Sequence, residues 1–337
     1  MCVLNGPITQ APRQFEIPAA LFRPRRPSDE YSVGVLNAGY DLAVRSLRLA
    51  RQALAGRWEH RRFLERRYFN LRGRWPNLDN PRRISEKLLW LNVYHRDPLM
   101  PPLTDKFQAR AIVASRVGTH VLGELLGVWD DPSEIAFDQL PKEFVLKVTA
   151  ASTWNIFCRD KAALDVPKTV AQLRTWLGQS YYDKYREWTY EGLPSRIIAE
   201  PFRCDPAHPE RSSPDYKFYC FHGHPMYVSI CNDRRGDPRI DYFDRDWRTP
   251  YFRLAGPRGS DHPLERPRNY DEMLDVAAKL AAGFPFVRVD LYNHHDRVLF
   301  GEMTWFPSAG YLVVNPDEVD ERFAEPLTLP IHRAMSA

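Results

Sequence analysis

The sequence predicts an α+β protein, with helices in its front portion and a helix-interrupted series of strands behind, rather than a doubly wound parallel sheet. Three observations carry this reading. Apolar residues before residue 118 recur at mostly three- and four-residue spacing. From "EFVLKVT" onward the apolar runs are short and rich in Val, Ile, Tyr and Phe. Neither G-x-x-x-x-G-K-[ST] nor G-x-G-x-x-G occurs, which argues against P-loop and Rossmann sites.

Residues 1–34 carry Pro, Arg and Ser without periodicity and read as a loosely held arm. From 36 to 72, Leu42, Leu47, Ala50 and Leu54 repeat among Arg45, Arg48 and Arg51, the pattern of an amphipathic helix. "SEKLLWLNVYHRD" predicts a further helix capped by Ser85. "TDKFQARAIVASRVG" predicts another, opened by Thr104 or Asp105 and closed by Gly118. Strands follow at "EFVLKVT", "NIFC", "SRIIAEPF", "DYKFYCF", "MYVSIC", "FPFVRVDLY" and "RVLFGEMTW", with helices near 168–187 and 270–282. No internal repeat is visible.

The chain has 337 residues, enough for two packed domains or one large unit. No stretch approaches the roughly 18 apolar residues of a membrane span, and the first residues lack a signal-peptide pattern, so a cytoplasmic location is expected. Five cysteines without C-x-x-C spacing read as buried or idle thiols. Net charge is +4 but uneven: residues 1–75 hold fourteen Arg, no Lys and six acids. Such a basic front suits an anionic membrane surface, an anionic glycan or a second subunit, and equally a solvated or packed helical face. No RNA-binding aromatic motif or zinc-finger spacing points to nucleic acid.

The chemistry concentrates in "VRVDLYNHHDRVLFGEMTW", read as a hairpin. Arg288 and Asp290 share a strand face, as do Glu302 and Thr304. Pairing around "NHHD" brings these four side chains together. Two carboxylates on adjacent strands suit a Mg²⁺ ion on nucleotide phosphates, since Mg²⁺ takes one or two protein carboxylates and fills its other positions with phosphate oxygens and water. Arg288 then faces the transferred phosphoryl group. Lys147 is a charge within the apolar "FVLKVT"; a nucleotide phosphate is one partner for it, and water at a sheet edge is the other. Glu200 ends an apolar strand. Asp215 and Lys217 form a same-face pair that also fits an ordinary cross-strand ion pair. The ten histidines form no H-E-x-x-H, and His294, His295, His222 and His224 read as turn residues.

In this order "DKFQAR", "FVLK", "IIAEPF", "DYKF", "VRVDLY" and "GEMTWFPSAG" resemble the ATP-grasp superfamily, and specifically its TupA-like branch, named for teichuronopeptide biosynthesis. The resemblance runs from about residue 63 to about 315. It implies two α+β subdomains gripping ATP: a small one at 104–199 and a large one with the metal site at 200–320. An Arg-rich helical region at 35–103 precedes them, and a tail at 321–337 follows. It also implies roles. Arg110 and Lys147 match basic contacts to ATP phosphates, Glu200 the adenine-binding linker, and Asp215 the acid on the ribose. Lys217 and Arg288 match basic residues of the catalytic centre, and Asp290 and Glu302 match the Mg²⁺ ligands. Thr304 stands where many ATP-grasp enzymes carry Asn. The loop after Lys147, "VTAASTWNIF", lacks the usual flap glycines, and Ser152 and Thr153 offer hydroxyls in their place.

The activity this resemblance implies is ATP-dependent joining of a carboxylate to an amine through an acyl phosphate, in surface-polysaccharide assembly. A uronic acid is the expected acceptor and an amino acid or amine the expected donor. A kinase acting on a glycan hydroxyl would use the same nucleotide site. A glycosyltransferase would instead use "DRD", Asp244 to Asp246, which reads more simply as a turn. A glycan-binding scaffold and a homo-oligomer are further expectations.

Overall fold

In the computed structural model, residues 55–205, 212–232 and 237–330 are described, and those from Arg57 on belong to one compact unit. The arm at 1–34 and Arg45, Arg48 and Arg51 lie outside the described residues, as does the tail beyond 330. The first described element is helix α1, 55–72. Its Leu64 and Tyr68, four apart, bury one face against Leu89, Val93 and Tyr311. Its arginines bond to the chain itself: Arg61 to Glu65 at 2.7 Å and to Asp79 at 3.0 Å, and Arg67 to the Lys184 carbonyl at 3.1 Å. Part of the basic front is thus a packed helical face.

Helix α2 (Ile84–Tyr94) begins one residue before Ser85, which is buried inside it and does not cap. Two carboxylates take the free amides instead: Glu86 accepts from Arg82 and Arg83, and Asp320 accepts from Ile84 at 2.9 Å. A charged acceptor binds these donors more strongly than a serine hydroxyl does. After α3 (Met100–Thr104), Asp105 accepts from the amides of Phe107 and Gln108. That turn leads into α4 (Ala109–Val117), which Gly118 closes at φ +98°.

A four-stranded antiparallel sheet follows, in the order β1 (Gly127–Trp129), β4 (Ile197–Pro201), β2 (Phe144–Val148), β3 (Asn155–Cys158). Its alternation is clean. Phe144, Leu146, Val148, Ile197 and Ala199 enter a core, leaving Val145, Lys147 and Glu200 on the other face. Helices α5 (Val166–Leu177) and α6 (Tyr181–Tyr185) add Leu173 and Tyr181 to that core.

A second antiparallel sheet has the order β10 (Arg297–Thr304), β9 (Phe286–His294), β5 (Asp215–Phe221), β6 (His224–Asn232), β7 (Arg239–Asp244). Helix α7 (Tyr270–Ala281) covers it with Tyr270, Met273, Val276 and Leu280. Ala109 and Val113 of α4 belong to this larger core, so segment 104–199 contributes to both. A two-stranded pair, β8 (Arg253–Leu254) with β11 (Val314–Asn315), and the short α8 (Asp320–Ala324) complete the described residues. Strand β7 ends at Asp244, whose carboxylate accepts from the amides of Asp246 and Arg248, so "DRD" is a backbone-bonded turn. Among the described residues, Cys158, Cys204, Cys220 and Cys231 form no disulfide. No helix among the described residues is long and apolar enough to cross a membrane.

Candidate active site

The β9–β10 hairpin turns through His295 and Asp296, both at positive φ, the two-residue form that matches strand twist. From there Phe300 pairs with Leu291, but the next pair is Glu302 with Asp290, because a bulge at Gly301 adds one residue to β10. Without the bulge Glu302 would pair with Val289, on the core face. With it, Val298, Phe300, Met303 and Trp305 all enter the core, while Glu302 and Thr304 join Asp290 and Arg288 on the other face. Gly301 suits the crowding: a Cβ there would lie 2.9 Å from the Asp290 carbonyl.

The register continues the row. Lys217 on β5 is directly opposite Asp290, so Lys217, Asp290 and Glu302 stand side by side across three strands. Arg288 donates to both Asp290 oxygens at 2.6 and 2.7 Å, and its Nη2 reaches Thr304 Oγ1 at 3.0 Å and Glu302 Oε1 at 3.3 Å. Lys217 Nζ donates to Asp290 at 2.7 Å and also to Asp215. Asp290 is buried, whereas the Glu302 side chain is about one-third exposed (34%).

A cleft separates this row from the exposed face of the smaller sheet. Lys147, Asn155 and Glu200 line one wall, and Asp215, Asp290, Tyr292 and Glu302 line the other. Lys147 does not reach water at a sheet edge; it donates to Glu200 at 2.6 Å, and Arg203 reaches the same carboxylate at 3.3 Å. Burial alone would raise the Glu200 pKa, but Lys147 and then Arg203 override it and hold it at about 2, against an ordinary 4.5. A depressed acid stabilises the fold above its unfolded pKa and loses that contribution as pH falls. Glu200 is therefore expected to contribute about 3 kcal/mol at neutral pH, lost between pH ~4.5 and ~2. Acid unfolding of Glu200→Gln beside the parent checks this. Equal loss of stability over that window in both would refute it.

Ser152 and Thr153 line the cleft mouth in the turn between β2 and β3, where Thr153 sits at φ +67°. A left-handed position is where a glycine is expected, and threonine occupies it at a cost. Of the expected site residues, Arg110, Lys217, Arg288 and Thr304 are not among those that line the cleft. Lys217, Arg288 and Thr304 bond to the acids that do, whereas Arg110 Nη2 donates to the Gly123 carbonyl at 2.8 Å. The basic residue of that segment at the cleft is Lys106, which donates to the Ala151 carbonyl beside Ser152. Burial pushes the Lys106 ammonium below its usual pKa, with Glu302 opposing. Sequence reasoning also passed over Asn155 and Gly301. Asn155 pairs with Lys147 across the β2–β3 turn, and a lone glycine inside a strand is itself a bulge signal.

A family model described as TupA-like ATPgrasp matches residues 86–327. The chain belongs to the TupA-like ATP-grasp family. Its architecture, two antiparallel sheets with a cleft between them, is the ATP-grasp fold. Solved structures that it matches include the ATP-grasp ligase PsnB complexed with minimal precursor, at 11% identity over 62% of this chain and 53% of that one, TM-score 0.36. They also include D-alanine–D-alanine ligase from Bacillus anthracis complexed with ATP (12%, 60% and 53%, 0.34) and the same ligase from Helicobacter pylori (13%, 68% and 59%, 0.38). This TupA-like chain thus spans little more than half the length of the structures it matches. No curated protein matches its sequence.

The residues present fit a magnesium nucleotide. Asp290 and Glu302 are directly opposed at the cleft, and a carboxylate has lone pairs beyond those its hydrogen bonds use. Among the described residues no three His, Cys, Asp or Glu side chains gather as a metal cage, so two carboxylates plus phosphate oxygens are the available donor set. The cleft also holds a buried acceptor with no hydrogen-bond partner, Asn155 Oδ1, suited to a ligand donor such as a ribose hydroxyl or base amino group.

Proposed function

We propose that the chain is an ATP-dependent, ADP-forming carboxylate–amine ligase, acting on a uronic-acid carboxylate of a surface polysaccharide or its precursor. The observation that carries this is the opposed pair Asp290 and Glu302 lining one cleft together with Lys147 and Lys106, with Lys217 and Arg288 bonded to Asp290. The cations Lys106 and Lys147 suit phosphates, and the opposed acids suit the metal that accompanies them.

Lys147 and Lys106 bind the phosphates, Ser152 and Thr153 add hydroxyl donors, and Asp215 takes the ribose. Arg110 remains a phosphate contact only if its segment moves. Asp290 and Glu302, assisted by Thr304, hold Mg²⁺, which when bound neutralises phosphate charge. Arg288 is kept protonated by Asp290 despite its burial, and so presents a fixed positive charge. The acceptor carboxylate attacks the terminal phosphorus and takes the phosphoryl group, and ADP leaves with the electron pair of the broken P–O bond, while Arg288 and Lys217 stabilise the charge that develops. The donor, having shed its ammonium proton to solvent, then attacks the acyl carbon as the free amine; the C–N bond forms, the nitrogen loses a second proton to solvent, and phosphate leaves with the electron pair of the broken C–O bond. No protein nucleophile is needed; positioning supplies much of the acceleration.

Nucleotide accounting tests the reading. Glucuronate and galacturonate are offered with ATP and Mg²⁺, alone and together with a panel of amino acids. ADP that appears only with both acid and amine is the expected result. ADP with a hydroxyl acceptor alone means a kinase, and turnover of a sugar nucleotide means a glycosyltransferase. Mg²⁺–ATP should also raise the melting temperature, with a gain of about 2.7 kcal/mol at a hundredfold excess over Kd.

A further inference from the structure

Outside the residues that line the nucleotide cleft, but within the field of the Glu302 charge, is a buried acid that the proposed phosphoryl transfer does not use. Glu187 precedes the helical turn Trp188–Tyr190, whose Trp188 enters the larger core while Tyr190 packs against the smaller one. It thus stands where the two cores meet. Its residue is only 5% exposed, and among the described residues no side chain hydrogen-bonds or ion-pairs with its carboxylate. The charged groups that act on it are Glu302 first, then Arg288 and Arg67, and burial with the Glu302 charge pushes its pKa up to about 8.

An aromatic wall adjoins it. Tyr181 lies 4.5 Å, ring centre to ring centre, from both Tyr185 and Tyr190, and both Tyr181 and Tyr190 feel the charges of Glu187 and Glu302. Tyr181 also packs edge-on against Trp154 of the loop that follows β2, 5.9 Å between ring centres. One aromatic cluster therefore packs on that loop through Trp154 and follows the buried acid in the chain through Tyr190, whose amide donates to the Glu187 carbonyl. The next residues carry buried polar atoms with no hydrogen-bond partner, Trp188 Nε1 and Thr189 Oγ1. Buried polar atoms are nearly always bonded, so such a group beside a reaction centre marks a place for a ligand or water. A carboxylate stripped of water is costly unless a cation meets it, and tyrosine rings attract a cation over their faces.

We propose that Glu187, with Tyr181 and Tyr190, forms the subsite for the ammonium group of the amine donor, where the two cores meet beside the Ser152–Trp154 loop. The inference rests on the ligase reading. The ligand is a small primary ammonium compound; its charge pairs with Glu187 and its carbon skeleton lies against the rings. Binding there keeps the nitrogen within the field of Arg288 and Glu302, the groups assigned to the developing charge and to the metal.

Calorimetric titration of the protein loaded with Mg²⁺ and a non-hydrolysable ATP analogue tests this, with glycinamide and putrescine as probes and neutral acetamide as the control. The parent should bind the two ammonium probes and not acetamide. Glu187→Gln should bind them at least tenfold more weakly while keeping its nucleotide affinity, and Tyr190→Leu should weaken them where Tyr190→Phe does not. Nucleotide binding without ammonium binding overturns this subsite alone, as does a Glu187→Gln variant with parental probe affinity. Failure to bind the nucleotide analogue overturns the ligase reading and this inference with it.

Discussion

Glu302→Gln is expected to reduce turnover by about a hundredfold or more while the protein stays folded. The substitution keeps shape and removes one negative charge from the opposed pair of acids. Its cost to the fold is small because the Glu302 side chain is about one-third exposed (34%), and its bonds to Arg288 and Thr304 are long, both 3.3 Å. A glutamine oxygen accepts the same bonds. ADP release and thermal melting, measured on the same preparation, separate the two effects. Near-normal ADP release would remove Glu302 from the metal site, and a collapse in melting temperature would assign it a structural part instead.

Arg288→Met should be the most damaging single change in the row, in stability as well as in turnover. Arg288 and Lys217 together neutralise Asp290, and Arg288 supplies two of its three short bonds. Removing one partner of a buried ion pair costs about 3–5 kcal/mol, since the remaining charge is stranded without water. Lys217 persists at 2.7 Å, which places the loss toward the lower end of that range. Urea unfolding measures it. Asp290→Asn in the Arg288→Met background should recover part of the lost stability and none of the turnover, because it removes the stranded charge without restoring the cation. A double variant no more stable than Arg288→Met would show that the damage is one of packing.

Much of this arrangement is legible in the sequence where alternation is regular. "FVLKVT" places Lys147 out of phase with Phe144, Leu146 and Val148, and the structure puts it on the cleft face. "VRVDLY" does the same for Arg288 and Asp290 between Val287, Val289 and Leu291. What remained hidden depends on contacts distant in sequence. The start of α2 is set by Glu86 and by Asp320, which lies more than two hundred residues away, so no local pattern could displace Ser85 as its cap. Glu187 closes the stretch near 168–187 that reads as one helix, whereas the chain leaves α6 at Tyr185 and Glu187 is buried where the two cores meet. The choice of Lys106 over Arg110 at the cleft likewise follows from the turn that Asp105 organises just ahead of α4.

The bulge at Gly301 has a consequence for comparing relatives. Glu302 stands six residues beyond Asp296, the last residue of the hairpin turn, while its partner Asp290 is counted from the other side of that turn. A regular strand would set the second acid opposite the first with one residue fewer. Two hairpins with the same pair of acids can therefore differ in length without differing in chemistry. An alignment that closes the gap at Gly301 would match Glu302 to a core position and hide the acid. The spacing from turn to second acid is thus a marker of strand shape that can be read from sequence alone.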